Sequence, residues 1–149
     1  MGKLRIFRAI RRDNIIDGNE NMVYNFHMKT ILVVDDSRIM RSIVKNHFSE
    51  LKLICRYVDA VDGNEALEML NKHKIDLILL DWNMPKLSGI DFLKQVRAMD
   101  KYAQLPIIMV TSEAAKYNVI EALKMGATDY IIKPISSKLF MEKVKKVFT

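Results

Sequence analysis

The chain has 149 residues, of which half are apolar and 28% charged, and a formal net charge of +6. That mix describes an ordinary globular domain large enough to bury a core, and it excludes low-complexity and disulfide-framework classes, since Cys55 stands alone. No apolar run reaches membrane-span length, no Cys/His spacing suits zinc, and the lysines are too dispersed to form a nucleic-acid footprint, so neither membrane insertion nor direct nucleic-acid binding is expected.

Residues 1–27 read differently from the rest: Arg5, Arg8, Arg11 and Arg12 lie among broken apolar positions, and a polar run follows. They are expected to be a poorly ordered leader or a docking extension, with no signal-peptide h-region. The domain is expected to span 28–149, and its location to be cytoplasmic.

From Met28 the pattern alternates strand and helix five times. Ile31–Val34 reads as a buried strand ending at Asp35-Asp36-Ser37, where Ser37 or Asp36 caps a helix with apolar positions Met40, Ile43, Val44, His47, Phe48 and Leu51. Leu53–Val58 is a second strand, mixed as an edge strand should be. Asp62-Gly63-Asn64 opens a helix carrying Ala66, Leu67, Met69 and Leu70.

Leu77–Leu80 is an unbroken apolar run that meets Asp81, the pattern of a strand covered on both faces. Gly89 precedes a helix with Ile90, Leu93 and Val96. Leu105–Val110 is the fourth strand and stops at Thr111-Ser112. The next helix presents Val119, Ile120, Leu123 and Met125 and closes at Gly126 in a left-handed cap. Tyr130–Ile132 runs into Lys133-Pro134, and a last helix uses Leu139, Phe140, Val144, Val147 and Phe148.

Such alternation predicts an α/β fold, a parallel sheet between two helical layers. Parallel strands share one carboxyl edge, which collects Asp35, Asp36, Asp81, Thr111 and Lys133. If the first and third strands are neighbours, their connections diverge and open a crevice there. Clustered carboxylates in a half-buried crevice need a cation, and all-oxygen donors favour Mg²⁺, with Mn²⁺ as a substitute. A carboxylate beside such an ion, with an ammonium and a hydroxyl aimed at the same point, suits phosphoryl acceptance: Asp81 attacks, and Lys133 and Thr111 hold the phosphoryl oxygens.

In this order on a five-fold βα repeat, Asp35-Asp36, Asp81, Thr111 and Lys133-Pro134 resemble the receiver domain of two-component response regulators. Asp81-Trp82-Asn83-Met84-Pro85, Met109-Val110-Thr111 and the spacing from Tyr130 to Lys133 resemble its chemotaxis members in particular. The resemblance implies a flavodoxin-like doubly wound (βα)5 sandwich with strand order 2-1-3-4-5. It implies that Asp81 takes a phosphoryl group from a sensor histidine kinase, that Asp36 and Asp81 ligate Mg²⁺ directly, and that Asp35 acts through water and Asn83 through its backbone carbonyl. Thr111 and Lys133 then bind the phosphoryl group, Tyr130 is the aromatic switch, Asn83 and Glu113 tune dephosphorylation, and the Lys133–Pro134 peptide is cis. The output partner would be a flagellar motor switch protein or another target bound through the fourth helix, fifth strand and fifth helix, with a phosphatase as a further partner.

Fifteen residues follow Pro134, room for one helix, so a stand-alone signalling module is expected, without enzymatic activity beyond self-phosphorylation and autodephosphorylation. A phosphorelay carrier is the alternative within the class. An Asp-nucleophile phosphatase is disfavoured because Asn83 stands where its general acid belongs. An FMN binder is disfavoured because Asp35-Asp36 would repel the cofactor phosphate.

Overall fold

The structure is a computed structural model and describes residues 28–51 and 53–148, together with the backbone of two short strands, β1 (Asp13–Ile16) and β2 (Met22–Asn25). These two pair antiparallel with each other, Asp13 opposite Asn25. Otherwise the expectation of a leader over 1–27 lies outside the described residues.

The domain proper runs β3 (Lys29–Val34), α1 (Arg38–Glu50), β4 (Cys55–Ala60), α2 (Gly63–Lys72), β5 (Leu77–Leu80), α3 (Gly89–Arg97), β6 (Ile107–Thr111), α4 (Lys116–Lys124), β7 (Asp129–Ile132) and α5 (Ser137–Phe148). The five strands are all parallel, in the order β4-β3-β5-β6-β7. Counted from β3, that is 2-1-3-4-5, as the resemblance implied. β3 and β5 are adjacent, so the chain leaves the sheet in opposite directions on either side of them.

Strand alternation sorts the core into two layers. Leu32, Val34, Ile78, Leu80, Ile107 and Met109 face α2, α3 and α4, meeting Ala66, Leu70, Ile90, Leu93, Val96 and Ala122. Ile31, Val33, Leu77, Leu79, Ile108 and Val110 face α1 and α5, meeting Val44, Phe48, Phe140 and Val144. Every residue of β5 and β6 is buried, the reason those runs carry no polar alternation. β4, at the edge, buries only Val58 and Ala60 and leaves its other residues partly or fully exposed.

Helix starts follow their capping residues. Ser37 Oγ accepts from Met40 N, Asp62 from Glu65 N and Ser88 from Asp91 N. Gly126 sits at φ +106°, the left-handed stop expected after α4.

Three expectations shift. β4 covers Cys55–Ala60 rather than Leu53–Val58, because β3 begins at Lys29, which pairs with Cys55; earlier residues have no strand beside them, and Ile54 is 51% exposed. β6 starts at Ile107, after Pro106, whose nitrogen has no hydrogen to donate to a ladder. The apolar stripe expected on α4 is mostly outside: only Ala122 is buried and Val119 half-buried, while Ile120, Leu123 and Met125 are exposed. Ile43 on α1 and Leu139 on α5 are exposed as well.

Candidate functional site: an acidic notch at the carboxyl edge

Asp35, Asp81 and Lys133 each sit one step beyond a strand, Thr111 ends β6, and the first three are fixed by a neighbouring strand. Asp81 N–H donates to Val34 O at 2.9 Å, Asp35 N–H to Ala60 O at 3.0 Å, and Lys133 N–H to Thr111 O at 2.9 Å. The carboxylates of Asp35, Asp36 and Asp81 bring one oxygen each within 4.8 Å of one another. Asp35 and Asp81 are buried and Asp36 is exposed, so the group is in reach of solvent.

Lys133 reaches across the sheet edge into this group. Its Nζ is 2.8 Å from Asp35 Oδ2 and 3.5 Å from Asp81 Oδ2. Asp35 Oδ1 accepts from Ser37 N–H, so both its oxygens are engaged. Asp81 Oδ1 accepts from Trp82 N–H at 2.8 Å, and the fully buried Thr111 side chain lies beside the Asp81 carboxylate. Burial pushes the Asp81 carboxyl above its ordinary range, and the Asp35 charge adds to this; Lys133, Thr111 and the Trp82 amide pull the other way.

The rim is equally ordered. Asn83 Nδ2 donates to Glu113 Oε1 at 2.7 Å, and Asn118 Nδ2 to Glu113 Oε2 at 3.2 Å. Tyr130 is only 5% exposed and turned inward, its hydroxyl donating to Glu113 O at 2.6 Å. The Lys133–Pro134 peptide is cis.

All the residues singled out in sequence therefore meet at one edge. Three that matter geometrically were not singled out. Arg41 donates to Asp35 O at 2.7 Å and pairs with Asp59, bracing the first acidic loop against β4. Gly89 lies so close under the loop after β5 that a Cβ there would be 1.9 Å from Asp81 O. Asn118 holds Glu113. The signal for Gly89 was present in its position just after the Asp81 turn; Arg41 and Asn118 look like ordinary polar helix positions until the partner elements are in place.

Comparison with known proteins agrees with this arrangement. Residues 31–145 match the response regulator receiver domain family. The chain is 42% identical over 118 residues to chemotaxis protein CheY of Pseudomonas aeruginosa, covering 79% of this chain and 94% of that one. It is 43% identical over 126 residues to CheY-3 of Vibrio cholerae, covering 85% and 95%. Among solved structures, Vibrio cholerae chemotaxis protein CheY4 superposes with a TM-score of 0.72 at 32% identity, covering 81% of this chain and 99% of that one. Sequence, fold and acidic edge together place this chain in the response-regulator receiver family of two-component systems, with chemotaxis CheY proteins among its relatives.

Proposed function

We propose that Asp81 is the phosphoacceptor of a CheY-like switch, phosphorylated by a histidine kinase and read out by binding to another protein in chemotaxis. The observation that carries this reading is the convergence of Asp35, Asp36, Lys133 and Thr111 on the Asp81 carboxylate.

Trp82 N–H occupies Oδ1, which leaves Oδ2, on the Lys133 side, as the attacking oxygen. The O–P bond forms there as the P–N bond of the donor phosphohistidine breaks, and the electron pair stays with the imidazole. Lys133 offsets charge on the phosphoryl oxygens, and Thr111 donates a hydrogen bond to one of them. The three carboxylates fit a hard divalent cation, since oxygen donors within 4.8 Å of one another repel unless neutralised. Asp36 and Asp81 would ligate Mg²⁺ directly with the Asn83 carbonyl, while Asp35, engaged by Lys133 and Ser37, would act through water. Bound there, the ion supplies neutralising charge for the phosphoryl group.

Phosphorylation adds roughly −1.5 to −2 charge at Asp81. Drawing Thr111 toward that charge changes the loop that Tyr130 holds through Glu113 O, and this loop leads into α4. Moving such a switch from 1:99 to 99:1 takes about 5.5 kcal/mol of differential stabilisation. Charge-assisted contacts to one phosphoryl group are of the strength needed. The face that reads out the change is α4, β7 and α5, where Tyr117, Ile120, Leu123, Ile132 and Leu139 are exposed.

Incubation with Mg²⁺ and acetyl phosphate tests the reading. Wild type should gain acid-stable, base-labile phosphate and Asp81→Asn none; equal labelling of the two refutes it.

A further inference from the structure

The end of β5 and the end of β6 approach each other at two levels. At the inner level the Asp81 carboxylate lies beside buried Thr111, where phosphorylation is proposed. At the outer level, two residues further along each segment, Asn83 donates to Glu113. Asn83 is exposed and Glu113 half-buried, so this outer bond lies nearer solvent than the inner pair.

Glu113 is held on every polar atom it has. Its N–H donates to Thr111 Oγ1 at 3.3 Å, and its carbonyl accepts from the Tyr130 hydroxyl. Those bonds fix its backbone and leave only side-chain torsions free. Asn83 takes one carboxylate oxygen and Asn118 the other. A single hydrogen bond at an exposed rim competes with water, whereas two from separate elements leave the carboxylate one orientation.

Asn118 lies in the first turn of α4, whose N-cap residue, Ala115, makes no side-chain cap bond. An Asn in a first turn commonly serves the backbone of its own chain locally. Here its amide is turned to Glu113 instead.

Resting on Asp81 as phosphoacceptor, we propose that Asn118 is a positioning residue that latches the Glu113 carboxylate across the mouth of the acidic notch against Asn83, and so slows the entry of water to the phosphoryl group. Asn118 touches neither the acceptor nor the phosphoryl group and acts only through Glu113. Loss of its amide frees the carboxylate to rotate, leaves the Asn83 bond alone at the rim, and opens the path of hydrolysis. An Asp at position 118 would add a like charge against Glu113 and open it further.

The test is decay of the isolated phosphoprotein. The full chain, labelled with acetyl [³²P]phosphate and Mg²⁺ and then desalted, is followed for loss of base-labile phosphate. Asn118→Ala and Glu113→Ala should each shorten the lifetime about threefold to tenfold, Asn118→Asp at least as much, and Asn118→Ala should add nothing in the Glu113→Ala background. Thermal melts of Asn118→Ala should match wild type, as expected for alanine at a half-exposed helix position. A labelled Asn118→Ala protein that decays at the wild-type rate, or one whose effect persists undiminished without Glu113, overturns the latch alone. A wild-type protein that takes no label overturns the phosphoacceptor reading and the latch with it.

Discussion

Replacing Gly89 by alanine tests whether the acceptor loop is as tightly built as its geometry implies. The added Cβ would lie 1.9 Å from Asp81 O, 2.8 Å from Asp81 C and 3.0 Å from Trp82 Cα, where ordinary contact begins at 3.4 Å. About 1.5 Å of relief is needed (3.4 − 1.9), and the obstacle is backbone. That backbone is pinned on both sides, by Asp81 N–H to Val34 O and by Gly89 N–H to Trp82 O at 2.8 Å.

Overpacking against groups that cannot move falls at the upper end of its usual range, about 3 kcal/mol. The better helix propensity of alanine returns up to about 1 kcal/mol. A net loss of about 2 kcal/mol corresponds to a fall in Tm of roughly 8 °C for a domain of this size. Stability alone would not locate the strain, so Gly126→Ala serves as the control. At φ +106° it is strained too, but the Cβ meets the flexible Arg97 side chain, remote from the notch. Both variants should melt early by circular dichroism, and only Gly89→Ala should also lose acetyl-phosphate labelling, because relief moves Asp81 relative to Lys133. A Gly89→Ala protein that melts within 2 °C of wild type and labels at the wild-type rate would show that the close approach has no consequence.

Mg²⁺ at about ten times its Kd should stabilise the wild-type fold by about 1.4 kcal/mol, read as a rise in Tm that Asp81→Asn largely abolishes. In metal-free buffer the Asp81 carboxyl, raised by burial and by Asp35, binds its proton more tightly folded than unfolded. Stability on its account should therefore fall as pH climbs from the ordinary carboxyl value of 3.8 through the raised folded pKa, and Asp81→Asn should melt higher than wild type at neutral pH. Tyr130, pushed up to about 12 by burial and then by the Glu113 charge, contributes stability that is present below pH 10 and lost as pH passes about 12; Tyr130→Phe should remove a late step from the phenolate absorbance titration. Ile120→Glu, at an exposed position on α4, should leave stability within about 0.5 kcal/mol of wild type while weakening binding of the protein target, measured by pull-down or calorimetry.

Among the described residues no helix is long and apolar enough to cross a membrane. The alternation of apolar runs with helical stripes was legible in the amino-acid order because it is a local property: a strand covered on both faces has to be continuously apolar, as Leu77–Leu80 is, and a capped helix has to begin at a Ser37 or an Asp62. The carboxyl edge was legible for a related reason. Parallel strands put every strand end on one side, so Asp35, Asp81, Thr111 and Lys133 could be gathered without knowing any distance.

Tertiary structure decided what depends on a partner elsewhere in the chain. The start of β4 was set by the start of β3, since a ladder cannot extend past its neighbour. Which apolar residues of α4 face inward was set by how the helix sits on β6 and β7, and a stripe of Val119, Ile120, Leu123 and Met125 reads alike whether it covers a core or awaits a partner. The bonds from Arg41 to Asp35 and from Asn118 to Glu113 belong to the same class. Polar side chains carry no periodic signature, and their partners become visible only once separate elements have been brought within hydrogen-bonding reach.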